Sequence, residues 1–295
     1  MSTTGLSIRD ISPNVTTFST PFNRFAPLGY RKFVAVGNRA TAIRLQDGRI
    51  LLLNPIQLEP SVHEKLDQLG GVHLIASDLG HHMYIHEYLK VWPSAKSIGV
   101  PGLEGKRKDV KWDWIYKDSM TKPEKEFGFA EEVETVLFEG FITYCVAWYH
   151  KPTKTLIQSD LMMNLPCTEV ILRTCNFGAT SSNENQQYAT SSANQGVGSR
   201  EFAKRAHPQS VWFRRLIYYI ATVDFAHMRR DAKRVAECGI ERIVPCHGDV
   251  IEEGGNEAWA STYQWYLQGN STSGFVRRLI DLTMFMRLVR WVFLM

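Results

Sequence analysis

Three stretches of this chain share one form, a short hydrophobic run that stops at a polar loop able to bind a metal ion. Leu74-Ile-Ala leads into Asp78, His81 and His82; Thr155-Leu-Ile-Gln-Ser leads into Asp160; Arg242-Ile-Val-Pro leads into His247. Strand ends hold side chains at fixed positions, and coordination needs this because metal–ligand distances tolerate little error. Imidazole nitrogens mixed with carboxylate oxygen suit zinc, iron or manganese better than calcium. Each segment alone has a plainer reading. An Asp after a strand is a turn or helix cap, a His before Gly is a loop residue, and His81-His82 is a helix start with one ring packed and one solvated. Their number and order together favour a shared metal site.

The neighbours of these residues carry secondary roles. Asp78 suits a general base facing the cleft or an N-cap for the helix that follows, and the sequence leaves both open. Asp249, just after His247-Gly248, is placed to orient that histidine as a supporting carboxylate. His86 lies four residues beyond His82 on the same helical face and is a reserve ligand. Tyr84, Lys106 and Arg107 could bind an anionic group of a substrate, although such side chains are more often solvated surface.

The elements that must position these loops read as follows. Arg39-Ala-Thr-Ala-Ile-Arg-Leu and Ile50-Leu-Leu-Leu flank an Asp47-Gly48 turn, a strong hairpin signal. Pro60 to Gly71 has helical spacing with a glycine stop, and Val72 to Ala76 is a short buried strand. A helix is expected over Met83 to Val91, ended by Pro93, then a strand at Ser97 to Val100. Pro101 to Lys125 reads as an irregular connection. Strands return at Val133 to Phe138, Ile142 to Tyr149 and Thr155 to Gln158. Residues 174–200 are Ser- and Asn-rich and read as a mobile insertion or lid. Helices are expected at Val211 to Thr222, Phe225 to Cys238 and Glu257 to Leu267, with a closing helix over 275–295. Two strand-rich halves, each with helices, suit a pair of sheets covered on both outer faces within one domain.

Composition narrows the function classes. With 44% hydrophobic and 22% charged residues over 295 positions, the chain is an ordinary globular protein with a sizeable core. Lys plus Arg exceed Asp plus Glu by 34 − 30 = +4, too little to favour nucleic acid as a partner. The five cysteines include no Cys-x-x-Cys pair, so reduced thiols in the cytoplasm are expected. Met1 to Asn14 has no basic start followed by an apolar core, hence no secretory signal. Arg277, Arg278, Asp281, Arg287 and Arg290 interrupt the apolar text from Phe275 onward, against a membrane span. That closing helix is expected to pack on the body or on a second subunit, giving a homodimer, with peripheral membrane contact the lesser option.

The sequence resembles the metallo-β-lactamase-fold superfamily, and within it a branch of stand-alone domains. The resemblance rests on Arg39-Ala-Thr-Ala-Ile-Arg-Leu-Gln-Asp-Gly, Asn54-Pro55-Ile56, the His81-His82 segment, Trp92-Pro93-Ser94-Ala95, Pro101-Gly102-Leu103 and Thr155-Leu-Ile-Gln-Ser-Asp-Leu. It implies a four-layer αββα sandwich. The family's His-x-His-x-Asp-His motif is degenerate here: its Asp-His end falls on His81-His82, while its leading histidines fall on Ser77 and Leu79. No histidine stands near Glu139-Gly140, where the family has a separate one. The bridging Asp falls on Asp160 and the final His on His247. The resemblance therefore implies one divalent ion rather than two, zinc first, held by His81, His82, Asp160 and His247. Catalytic roles fall to Asp78, His82 and Asp160. The implied activity is hydrolysis of a small-molecule ester, lactone or thioester by metal-activated water. A Lewis-acid lyase or isomerase acting on a carbonyl compound, or a non-catalytic binding protein, are the alternatives.

Overall fold

The structure, a computed structural model, describes residues 5–25, 33–167 and 201–268. The expected insertion at 174–200 and closing helix at 275–295 lie outside the described residues.

Two sheets carry the architecture. The first has seven strands in the order β1-β2-β5-β6-β7-β8-β9: β1 Ser7–Ser12, β2 Val15–Thr20, β5 Asn38–Arg44, β6 Ile50–Leu53, β7 Leu74–Ala76, β8 Lys96–Gly99 and β9 Trp114–Ile115. The second has four, β10 Val133–Leu137, β11 Val146–His150, β12 Thr155–Gln158 and β13 Arg242–Pro245, in chain order. A small pair, β3 Asn23–Phe25 and β4 Phe33–Ala35, stands apart. Helices follow the same logic: α1 Pro60–Leu69, α2 Ile85–Val91, the one-turn α3 Leu103–Lys106 and α4 Pro123–Glu126, then α5 Val211–Leu216, α6 Phe225–Ala236, α7 Gly255–Thr262 and α8 Gln264–Leu267.

Strand alternation sorts the core into three layers of contact. On β6, Leu51 and Leu53 face inward with Leu74 and Ala76 of β7, and meet Val146, Trp148, Ile157 and Val244 of the second sheet. Ile50, Leu52 and Ile75 point the other way and pack on Val62 and Leu66 of α1 and on Ile85 and Tyr88 of α2. Ala147, Tyr149, Leu156 and Ile243, on the outer face of the second sheet, pack under Phe213 of α5, Met228 and Val235 of α6 and Trp259 of α7. Helix, sheet, sheet and helix are thus stacked as four layers, the expected sandwich. Burying each Leu or Ile in these layers contributes about 1.5–3 kcal/mol. No helix among the described residues is long and apolar enough to cross a membrane.

Three expectations are corrected. The strand expected from Ile142 starts only at Val146. Phe141 instead bridges Thr222 and Ile142 N–H donates to Ala221 O, which draws 139–145 off the sheet as a loop. The helix from Val211 is α-helical only to Leu216 and continues as a π-turn over Ile217–Ala221, with Thr222 Oγ1 donating to the Ile217 carbonyl at 2.8 Å. The stretch Pro101–Lys125 is not wholly irregular, since it contains α3, β9 and the start of α4.

Sheet polarity positions the site. β12 and β13 are parallel, so the loops after them emerge side by side at one edge. The loop after β7 meets them there from the facing sheet.

Candidate metal centre

The loop after β7 is shaped by one carboxylate. Asp78 Oδ1 accepts hydrogen bonds from the backbone N–H of Gly80 at 2.8 Å and of His81 at 3.0 Å, an Asx-type turn. The same oxygen lies 3.0 Å from His81 Nδ1, and Oδ2 accepts from the Ser159 hydroxyl. A carboxylate is acceptor-only, so His81 carries its proton on Nδ1 and presents the Nε2 lone pair. Burial pushes the Asp78 carboxyl upward, but the His81 ring, by its charge when protonated and by its hydrogen bond, and the Ser159 bond hold it below its ordinary range.

The other two loops are stitched to each other. Gln158, fully buried at the end of β12, accepts from Met162 N–H at 3.0 Å and donates to its carbonyl at 2.8 Å, which fixes the turn carrying Asp160. Asn164 N–H donates to the His247 carbonyl, Asp249 N–H donates to Asn164 O, and the Asn164 amide donates to the Asp249 carbonyl at 3.0 Å. Gly248 sits at φ +95°, where a Cβ would lie 2.1 Å from Asn164 O, so only glycine permits this crossing. From the first sheet, Gly37 O accepts from His247 Nδ1 at 2.8 Å. The buried Arg39 side chain reaches Ser19 Oγ and the Pro245 carbonyl, and its own carbonyl accepts from Cys246 Sγ. His247 is therefore also held with its proton on Nδ1 and its Nε2 turned inward.

The result is a buried group of three donors. His81, Asp160 and His247 place one ligand atom each within 4.8 Å of one another, the one such cluster among the described residues. The two Nε2 atoms are 3.4 Å apart, and His247 Nε2 is 3.1 Å from Asp160 Oδ1. Tetrahedral donors at ~2.0–2.2 Å bonds stand roughly 3.3–3.6 Å apart, so these separations are close to those of a coordination shell. Two imidazoles with Nδ1 already bonded turn Nε2 toward each other and toward a carboxylate, a donor set that fits a metal ion. Gly80 closes one side, its missing Cβ leaving room for Asp160 Oδ2, which would stand only 2.9 Å from it.

Of the residues singled out from the sequence, His81, Asp160 and His247 are brought together. His82 is not in this group. Its Nδ1 lies 3.4 Å from Arg107 Nη1, and burial, then the charges of Lys106 and Arg107, lower its pKa. Three of the four residues expected as ligands are thus grouped in the structure. Asp78 is buried and bonded to Gly80 and His81. The acceptor at His247 Nδ1 is the Gly37 carbonyl, the part expected of Asp249. His86 stands outside the group with its Nδ1 3.1 Å from Arg107 Nη2, and Tyr84 precedes α2, half-buried. Lys106 and Arg107 end on loop carbonyls. Gly37, Arg39, Gln158 and Ser159 were missed; only Ser159, beside Asp160, had a signal in its position. Two buried thiols, Cys145 and Cys246, are pushed well up by burial and then by the charges of Asp78 and Asp160, so they stay protonated.

No protein-family model matches the sequence, and no curated protein matches it. By structure the chain is similar to a metallo-beta-lactamase from Pontibacter korlensis, at 12% identity and a TM-score of 0.51, over 90% of this chain and 100% of that one. It is also similar to a flavoprotein from Thermotoga maritima, at 12% identity and a TM-score of 0.58, over 93% of this chain and 64% of that one. A flavodiiron core from Synechocystis matches at 13% identity and 0.52, over 90% and 62%. At these identities the likeness is one of fold.

Proposed function

We propose that this chain, which has the metallo-β-lactamase fold, is a hydrolase of a small ester, lactone or thioester that works with one divalent ion, zinc first. The observation that supports this is the convergence of two Nε2 atoms and a carboxylate oxygen at coordination spacing, each Nδ1 being already committed to an acceptor. An ion held by His81, Asp160 and His247 would lower the pKa of a bound water toward neutrality and polarise a carbonyl. The chain does the rest. Asp78 and the Gly37 carbonyl fix both rings in the tautomer that exposes Nε2. Asp160 would supply negative charge for a dication. Three protein donors leave a position open for that water. The carbonyl substrate is inferred from analogy of fold.

Metal analysis of the purified protein should find about one ion per chain. His81→Ala and His247→Ala should lose it, whereas His82→Ala should keep it, because that ring is turned toward Arg107. A His247→Ala protein that binds metal like the parent would overturn the site. Lactone and thioester panels run with and without chelator test the reaction. A stoichiometric ion with no chelator-sensitive hydrolysis on either panel would remove the hydrolase reading and favour Lewis-acid chemistry.

A further inference from the structure

The loop from Leu79 to Met83 carries a ligand but has no regular backbone pairing, and its carbonyls end on the segment at residues 106–107. Lys106 Nζ donates to Leu79 O at 3.0 Å. Arg107 Nη1 donates to Met83 O at 2.9 Å and to His82 O. The same guanidinium faces the Nδ1 atoms of His82, at 3.4 Å, and His86, at 3.1 Å. Behind it Asp109 forms a two-point pair, Nε to Oδ1 at 2.8 Å and Nη2 to Oδ2 at 2.6 Å. The Arg107 side chain is only 11% exposed, while the backbone beneath it is fixed by a bond from Arg107 N–H to Leu103 O that closes α3.

We propose that Arg107, backed by Asp109, is a positioning residue of the metal centre, an inference that rests on the His81–Asp160–His247 reading above. A guanidinium has five N–H donors in a rigid plane and no acceptor. One such group can therefore grip two successive carbonyls of the loop while the carboxylate behind it fixes the plane. The grip acts on the residues just after His81, whose ring must sit within a fraction of an ångström of its place for coordination. It also decides which of the two adjacent histidines serves. The grip on the His82 carbonyl holds that residue on the Arg107 side of the loop, so His82 is withheld and His81 is presented.

The test uses the full chain stripped of metal, with zinc alone as the probe. Arg107→Met should lower zinc affinity by about 10- to 100-fold, the range for supporting residues of metal sites, while the unfolding midpoint of the metal-free protein moves little. Arg107→Lys, a point charge unable to hold both carbonyls and Asp109 in one plane, should restore only part of the loss. Cobalt in place of zinc should give an altered visible spectrum in Arg107→Met as the released His82 enters the shell. Zinc affinity within twofold of the parent in Arg107→Met, or a loss of affinity that only parallels a loss of metal-free stability, overturns the proposal. If Arg107→Met does not fold, Asp109→Asn decides: a weaker zinc site at unchanged stability supports the bracket, and unchanged affinity refutes it. The metal reading fails separately, when His81→Ala and His247→Ala bind zinc as the parent does.

Discussion

Replacing Asp78 separates two things its carboxylate does, holding a loop and orienting a ligand. In Asp78→Ala, the N–H groups of Gly80 and His81 and the His81 Nδ1–H lose the acceptor they share. The Ser159 hydroxyl also loses its acceptor, though Cys145 Sγ stands 3.2 Å away as a substitute. Asp78 is 2% exposed, so water does not replace it at once. Each orphaned buried donor costs about 1–3 kcal/mol. With some relaxation of the loop, Asp78→Ala should lower the stability of the metal-free protein by about 3–5 kcal/mol, a large part of the 5–15 kcal/mol typical of a domain. Asp78→Asn is different. Its Oδ1 can keep all three donors, and its amide can donate to a Ser159 hydroxyl that turns to accept. Stability should change by less than about 1 kcal/mol. What Asn cannot keep is the negative charge behind His81, so zinc affinity should fall about 10- to 100-fold, or 1.4–2.7 kcal/mol. Urea unfolding of the stripped proteins and calorimetric zinc titration read the two effects independently. If both variants are equally destabilised, the bonding pattern is wrong. If Asp78→Asn binds zinc like the parent, Asp78 does not tune His81.

Two more outcomes follow from single positions. Gly80→Ala would put a Cβ 2.9 Å from Asp160 Oδ2 and 3.3 Å from Asp78 Oδ1; both are ends of side chains that can shift, so zinc binding should weaken at least roughly tenfold for less than about 2 kcal/mol of stability, and unchanged binding by titration would show the wall is elsewhere. His150, 0% exposed and with Nε2 unbonded, has its pKa pushed down by burial to about 4; the unfolded chain takes up a proton near pH 6.5 that the folded one refuses, so stability falls as pH drops from ~6.5 toward ~4 and then levels. Between pH 7 and 5 this amounts to about 1–2 kcal/mol. His150→Gln should flatten that part of the urea-unfolding profile, and a profile parallel to the parent's would refute the assignment.

How much could be read from the chain depended on whether a feature was local. The Asp47-Gly48 hairpin and the strand-to-loop form ahead of His81, Asp160 and His247 are local, and the structure places those three residues together. Alternation along Ile50–Leu53 and Leu74–Ala76 was equally readable, because opposite faces of one strand face different layers. The end of a strand is another matter. Ile142–Cys145 has strand-like text, but hydrogen bonds to Ala221 and Thr222, about eighty residues later, compete for its backbone.

The choice between His81 and His82 was beyond the sequence for the same reason. The two rings are chemically identical and adjacent, so what distinguishes them is the partner each finds across the fold. His81 finds Asp78, an acceptor that turns its lone pair toward Asp160 and His247. His82 finds Arg107, which holds its carbonyl and faces its ring. Which ring joins the donor group is therefore decided by the groups that bind the far sides of the rings, and an alignment of residue types onto a motif contains only the near sides. The same logic applies at His247, whose far-side partner is a main-chain carbonyl at Gly37. That oxygen is a main-chain atom 210 residues upstream, and the only mark in the sequence is the glycine that its φ of +65° favours. Substitution at Gly37 tests this through geometry alone, because the Cys167 sulfur lies 3.0 Å from where a Cβ would stand.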